Sequence, residues 1–136
     1  MKDKLFIDAN IIIDWIGDRK PFYSASAKLF SKIELGKIIA ITNPLILATC
    51  YYLFAKSSSK KKAKETISQA RNLFELAQID ATIFDKALKS TFNDFEDGIH
   101  YYSALEAKAH YIITRNQKDF KISTIKVLSA EEYLTF

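Results

Sequence analysis

The stretch Leu5-Phe6-Ile7-Asp8-Ala9-Asn10 constrains the fold more than any other. Three successive apolar residues, with no polar alternation, read as a short strand buried on both faces, as in a parallel sheet between helices. Asp8 then stands at the carboxyl end of that strand, the edge where open parallel sheets bind ligands. A second run, Ile112-Ile113, empties in the same manner into Thr114-Arg-Asn-Gln-Lys-Asp119. If the two strands are parallel, both polar segments meet at one edge.

Between these runs the pattern alternates. Ala9 to Gly17 reads as a helix, with Asp8 or Asn10 as cap and Gly17 as stop. Phe22, Ala25, Leu29 and Ile33 recur at helical spacing, and Ile38-Ile41 is a second strand. Asn43 caps the next helix with Pro44 in its first position. From Leu45 to Ala55 that helix is apolar nearly all round, which predicts burial on several sides. A basic turn, Lys56 to Lys62, precedes a helix marked by Ala63, Ile67, Ala70, Phe74 and Ala77. Ile79 centres a marginal third strand, and Thr82 to Lys89 fits a short helix. Phe95, Ile99, Tyr102 and Leu105 form the core stripe of a further helix, with Glu96 and His100 turned away. Tyr111-Ile113 and Ile125-Leu128 are strands, and Ser129 caps a terminal helical turn. Strands alternating with helices predict an α/β domain over residues 1–136, with a central, mostly parallel sheet.

Composition excludes several classes. Three Gly and two Pro are too few for an all-β chain rich in turns. One cysteine, Cys50, forms no intrachain disulfide and implies a reducing compartment. No signal peptide is visible and no stretch approaches the ~18 apolar residues of a membrane span, so a cytoplasmic protein is expected. A net charge of +4 permits an anionic partner without requiring one. There is no phosphate-binding glycine loop, and no Cys/His group has zinc spacing. His100 is expected on the surface, and His110 at a loop or strand start.

The acids carry more information. Asp8 serves equally as helix cap or as functional carboxylate. In Asn93-Asp-Phe-Glu-Asp-Gly98, an advance of about 100° per residue puts Asp94 and Asp97 on the margin of the buried face. Helix-dipole stabilisation accounts for Asp94 and Glu96, less well for Asp97. Asp8, Asp97 and Asp119 would thus gather at one sheet edge. Like charges brought together are costly unless a cation neutralises them. Hard Mg2+ or Mn2+ prefers such oxygens, and it activates water against a phosphoryl centre.

These residues resemble a known family. Phe6-Ile-Asp-Ala-Asn10, Asp94-Phe-Glu-Asp97 and Ile113-Thr-Arg-Asn-Gln-Lys-Asp-Phe120, in this order and over nearly the whole chain, look like a PIN domain, similar to the toxin ribonucleases of bacterial toxin–antitoxin pairs. The resemblance implies a three-layer α/β/α fold and a metal-dependent endoribonuclease, with Mg2+ or Mn2+ held by a quartet of acids. Asp8 matches the first acid and Asn10 its polar neighbour. Asp97 matches the third. Asn116 stands where many relatives have the fourth, and Asp119 is the nearest remaining carboxylate. The second, a Glu on the helix after the second strand, is missing, and Thr49 or its neighbour takes its place. Asp94 could substitute. Thr114 and Asn116 would orient ligands or water, and Arg115 and Lys118 would touch phosphate. The lysines of 56–64 are an equal bet for backbone contact or plain solvation. RNA and an antitoxin protein are the implied partners, with a homodimer left open. A catalytically weakened module that binds RNA or protein is the alternative, and a phosphoacceptor domain modified at Asp8 is a third and poorer fit.

Overall fold

The structure, a computed structural model, describes residues 1–136. Five strands run in chain order through seven α-helices: β1 (Lys4–Ile7), α1 (Ala9–Ile16), α2 (Tyr23–Glu34), β2 (Ile39–Thr42), α3 (Pro44–Ser57), α4 (Lys60–Arg71), β3 (Phe74–Leu76), α5 (Ala81–Lys89), α6 (Phe95–Glu106), β4 (Tyr111–Ile113), β5 (Lys126–Leu128) and α7 (Ala130–Thr135). A single 3-10 turn, Gln117–Phe120, lies between β4 and β5. The sheet order is β3-β2-β1-β4-β5, and every pairing is parallel.

Parallel strands need covering on both faces. Leu5, Phe6 and Ile7 are accordingly buried in the middle strand, and Ile112 and Ile113 beside them. The core joins these to Leu29 and Phe30 of α2, Ile46 and Cys50 of α3, and Tyr101 and Ala104 of α6. The reversal of strand order falls between β1 and β4, since β2 leaves one side of β1 and β4 enters on the other. That is the crevice where doubly wound sheets bind ligands. Ile7 is level with Ile113, and the Asp8 N–H donates to the Ile113 carbonyl at 3.0 Å. Both strands therefore end at the same height.

Three expectations are corrected. The apolar spacing from Ala63 to Ala77 spans two elements: α4 stops at Arg71 and Phe74–Leu76 is the edge strand β3, while Ile79 lies in the following loop. Helix α3 is not buried on several sides: only Ile46, Leu47 and Cys50 are buried, and Tyr52 and Leu53 are 66% and 44% exposed. The core face of α6 is also displaced from the expected stripe. Gly98, Ile99, His100, Tyr101, Ser103 and Ala104 are buried, whereas Phe95 and Leu105 face solvent. Small residues explain the shift. A Cβ on Gly98 would stand 3.2 Å from Ser90 Oγ and 3.4 Å from Ala87 Cβ, so α6 packs closely on the end of α5 and even a methyl there would press on Ser90.

Candidate functional site

A cavity of about 400 Å³ opens at the carboxyl ends of β1 and β4, and its lining includes Asp8, Asn10, Thr49, Asp94, Asp97, His100, Asn116 and Asp119. Its two sides are built differently.

The sheet side is a closed hydrogen-bond network. Asp8, in extended backbone conformation, caps α1 by accepting the Ala9 N–H at 2.8 Å. Its other oxygen accepts the Thr114 hydroxyl at 2.8 Å and the Asn10 amide at 3.4 Å. Thr114 Oγ1 in turn accepts from Asn10 Nδ2 and from the Asn116 N–H, and Asn10 Oδ1 accepts the Arg115 N–H at 3.1 Å. The start of α1 is thereby stitched to the loop leaving β4. Capping and site placement are thus not alternatives for Asp8: one carboxylate oxygen caps, and the residue still lines the cavity.

The α6 side carries its acids with little support. Asp94 caps α6 by accepting the Asp97 N–H at 3.1 Å. Asp97 is half-buried, and Asp119 is exposed in the 3-10 turn. Burial pushes the Asp97 carboxyl up to about 7, and the negative charges of Asp94, Asp8, Asp119 and Glu96 push in the same direction. Glu96 is solvated, as expected, at the cavity rim. Lys118 lies on the outer flank of this side, in a second cleft shared with Asp94, Asp97 and Asp119.

The donor set suits a hard divalent cation. It offers carboxylate and amide oxygens, no thiolate, and an Asp97 raised first by burial and further by neighbouring negative charges that a cation would offset. The side chains are spread round the cavity: no three acids, histidines or cysteines close on one point. As they stand, the side chains form no ready-made cage for an ion, and a cation there would have to draw them together or keep waters between them. The acids nearest the cavity's centre of negative charge are Asp8, Asp97 and Asp119, with Asp94 beside Asp97.

The remaining positions are mixed. Thr49 does face the cavity from α3, but it brings no charge, and its hydroxyl hydrogen is donated to the Leu45 carbonyl at 3.0 Å. Arg115 lies along the cavity, yet its Nε and Nη2 are held by Asp14 at 2.8 and 3.2 Å and its guanidinium stacks on the Phe22 ring at 3.9 Å. His100 is not a surface residue: it is 6% exposed, and Nδ1 lies 3.0 Å from Asn43 Nδ2. His110 does stand at the start of β4, where its Nδ1 accepts the Lys4 N–H at 2.9 Å.

Sequence reasoning missed two partnerships. Asp14 is completely buried on α1 and anchors Arg115 from 101 positions away, so only the partnership could have marked it. Asn43 was legible as a cap; its second role, towards His100, was not.

Comparison with known proteins fits this geometry. The PIN domain family profile matches residues 4–118. Ribonuclease VapC1 of Aquifex aeolicus (strain VF5) is 28% identical over 136 residues, covering 96% of this chain and 93% of that protein. A toxin–antitoxin complex from Klebsiella pneumoniae superposes with a TM-score of 0.69 at 19% identity, covering 93% of this chain and 97% of that one. VapBC2 from Rickettsia felis, bound to a DNA fragment from its promoter, gives 0.66 at 18% identity with the same coverage. With the profile spanning most of the chain and the doubly wound sheet placing the motif residues at one edge, this chain belongs to the PIN-domain family.

Proposed function

We propose that the chain is a divalent-metal-dependent endoribonuclease acting on single-stranded RNA and held in check by an antitoxin protein. One observation carries the reading: carboxylates from the end of β1, from α6 and from the 3-10 turn line one cavity, where burial and the neighbouring acids together raise the Asp97 carboxyl to about 7. The names of its relatives, a ribonuclease and toxin–antitoxin complexes, support the same reading. No helix is long and apolar enough to cross a membrane.

Asp8, Asp97 and Asp119 are the groups that would hold Mg2+ or Mn2+, which when bound activates water and offsets charge on a phosphoryl group. Asp8 is fixed by Ala9 and Thr114. Asn10 and Thr114 hold the loop that presents Asn116, whose side chain orients water or ligand. Lys118, exposed beside the acids, contacts the RNA backbone, a contact that positions the strand without reading its sequence. Arg115 contributes what its pairing with Asp14 leaves free.

The test is cleavage of a fluorogenic single-stranded RNA in millimolar Mn2+ or Mg2+. Asp8→Asn should lower the rate by about 100-fold or more, the scale on which a group stabilising developing charge is felt. Absence of cleavage by the unmodified protein, or Asp8→Asn cleaving equally well, would overturn the enzyme reading.

A second reading, a PIN module with weakened catalysis, is favoured by Thr49, which brings no charge to the α3 side of the cavity. Thr49→Glu separates the two. A large gain in metal-dependent cleavage marks decay at that position, and no gain marks a site complete with three acids.

A further inference from the structure

Beneath the acids, His100 is buried among Phe6, Asn43 and Ser103, and none of the expected roles uses it. The hydrogen bonds around it fix its protonation pattern. Asn43 Oδ1 accepts the Ile46 N–H at 2.9 Å, as the cap of α3. The side-chain nitrogen of Asn43 must therefore be the atom facing His100 Nδ1 and Ser103 Oγ, at 3.0 and 3.4 Å. Exchanging the two amide atoms would set an amide N–H against the Ile46 N–H. Asn43 Nδ2 can only donate, so Nδ1 accepts and carries no proton, and the neutral ring bears its hydrogen on Nε2.

Nε2 bonds to no protein group. No buried side-chain nitrogen or oxygen lacks a partner, so Nε2 is not sealed in the interior and reaches solvent. That solvent is the acid-lined cavity, which His100 helps to line. Burial lowers the His100 pKa, outweighing the upward pull of Asp8, Glu96 and Asp94. The ring is thus neutral at pH 7. A Nε2 carrying hydrogen has no lone pair for a metal ion, and freeing one would cost the cap of α3.

We infer that His100 presents a fixed Nε2–H donor to a non-bridging oxygen of the RNA phosphodiester in the cavity. It adds a hydrogen bond to the substrate side of the site without adding a ligand or a charge. This assignment rests on the ribonuclease reading above.

Two substitutions divide the roles of the ring. Asn at position 100 reproduces the Nδ1 side and keeps the contact with Asn43; Gln reproduces the Nε2 side and keeps the donor. His100→Asn should melt close to the unmodified protein but lose about 10- to 100-fold in kcat/KM on single-stranded RNA, what a hydrogen bond to a charged oxygen is worth. His100→Gln should melt lower yet recover most of that loss relative to His100→Asn. A merely structural histidine would give the reverse order, with activity following stability, and that order overturns the assignment. Imidazole 15N spectra of the full chain at pH 7 should show the Nε2–H tautomer, with the Nε2 resonance moving on addition of a 2′-O-methylated RNA in Mg2+. A Nδ1–H tautomer, or RNA bound with Nε2 unmoved, overturns it as well. If the unmodified protein neither binds nor cleaves RNA while the Nε2–H tautomer is in place, the ribonuclease reading has failed and takes the assignment with it.

Discussion

The two sides of the cavity differ in how they are held. On the sheet side, Asp8, Asn10 and Thr114 bond to one another and to the Arg115 and Asn116 backbone, and behind them Asp14 grips the Arg115 side chain. On the α6 side, Asp94, Asp97 and Asp119 share a cleft with Lys118 and Lys121, and none of the three acids is paired in a salt bridge. One side is ordered by the polypeptide alone. The other keeps an electrostatic cost that only a bound cation or a proton relieves. A site built this way can exist before its ligand arrives and still gain stability from it.

The largest break in that comparison should come from the ordered side. Asp14→Ala removes the buried partner of Arg115 and should cost about 3 kcal/mol, read as a lower urea midpoint at unchanged m-value. Next is Asn43→Ala, which loses the α3 cap and the bond to His100 together, an expected loss of about 2 kcal/mol by the same measurement.

The α6 side should respond to metal instead. For a Kd of about 1 mM, 10 mM Mg2+ should stabilise the protein by ~1.4 kcal/mol in a thermal melt, and Asp97→Asn should remove most of that gain. An equal gain in Asp97→Asn would place the ion elsewhere.

The same side should also show a dependence on pH. The Asp97 carboxyl is raised from its ordinary 3.8 to about 7 in the folded state, so the folded state binds a proton that the unfolded state releases earlier. Stability is therefore lost as the pH rises from about 4 through about 7. Asp97→Asn should flatten that fall, melting above the unmodified protein at pH 8 but not at pH 4. Identical slopes would mean that burial and the neighbouring acids do not raise the Asp97 carboxyl in the folded state.

Parts of this were legible because they are local. Leu5-Ile7 and Ile112-Ile113 read as buried strands since parallel strands show no alternation, and Asn43-Pro44 and Ser129 announce helix starts chemically. The edge strand β3 was not legible. It is three residues long, has Glu75 exposed, and its Phe74 continues the spacing of α4 by coincidence. His100 was assigned to the wrong face because a helical wheel centres on large apolar residues. The real contact of α6 centres on Gly98, Ser103 and Ala104, where closeness replaces bulk. Of the proposed site, the acids were legible as types at spacing. The Asp14–Arg115 and Asn43–His100 partnerships, 101 and 57 residues apart, were not.

The level ending of β1 and β4 sets a tolerance on the whole design. Asp8 and Thr114 meet only because Ile7 stands opposite Ile113, with the Asp8 N–H tied to the Ile113 carbonyl. Side chains alternate faces at every step along a strand. Inserting or deleting a single residue within Lys4–Asp8 or Tyr111–Thr114 would turn one partner to the opposite face and break the Asp8–Thr114 bond, whatever residue was added. Lengthening the loop between α4 and β3 by the same amount would leave that register untouched. Insertion tolerance along this chain should therefore be a map of distance from two short strands, and not of exposure.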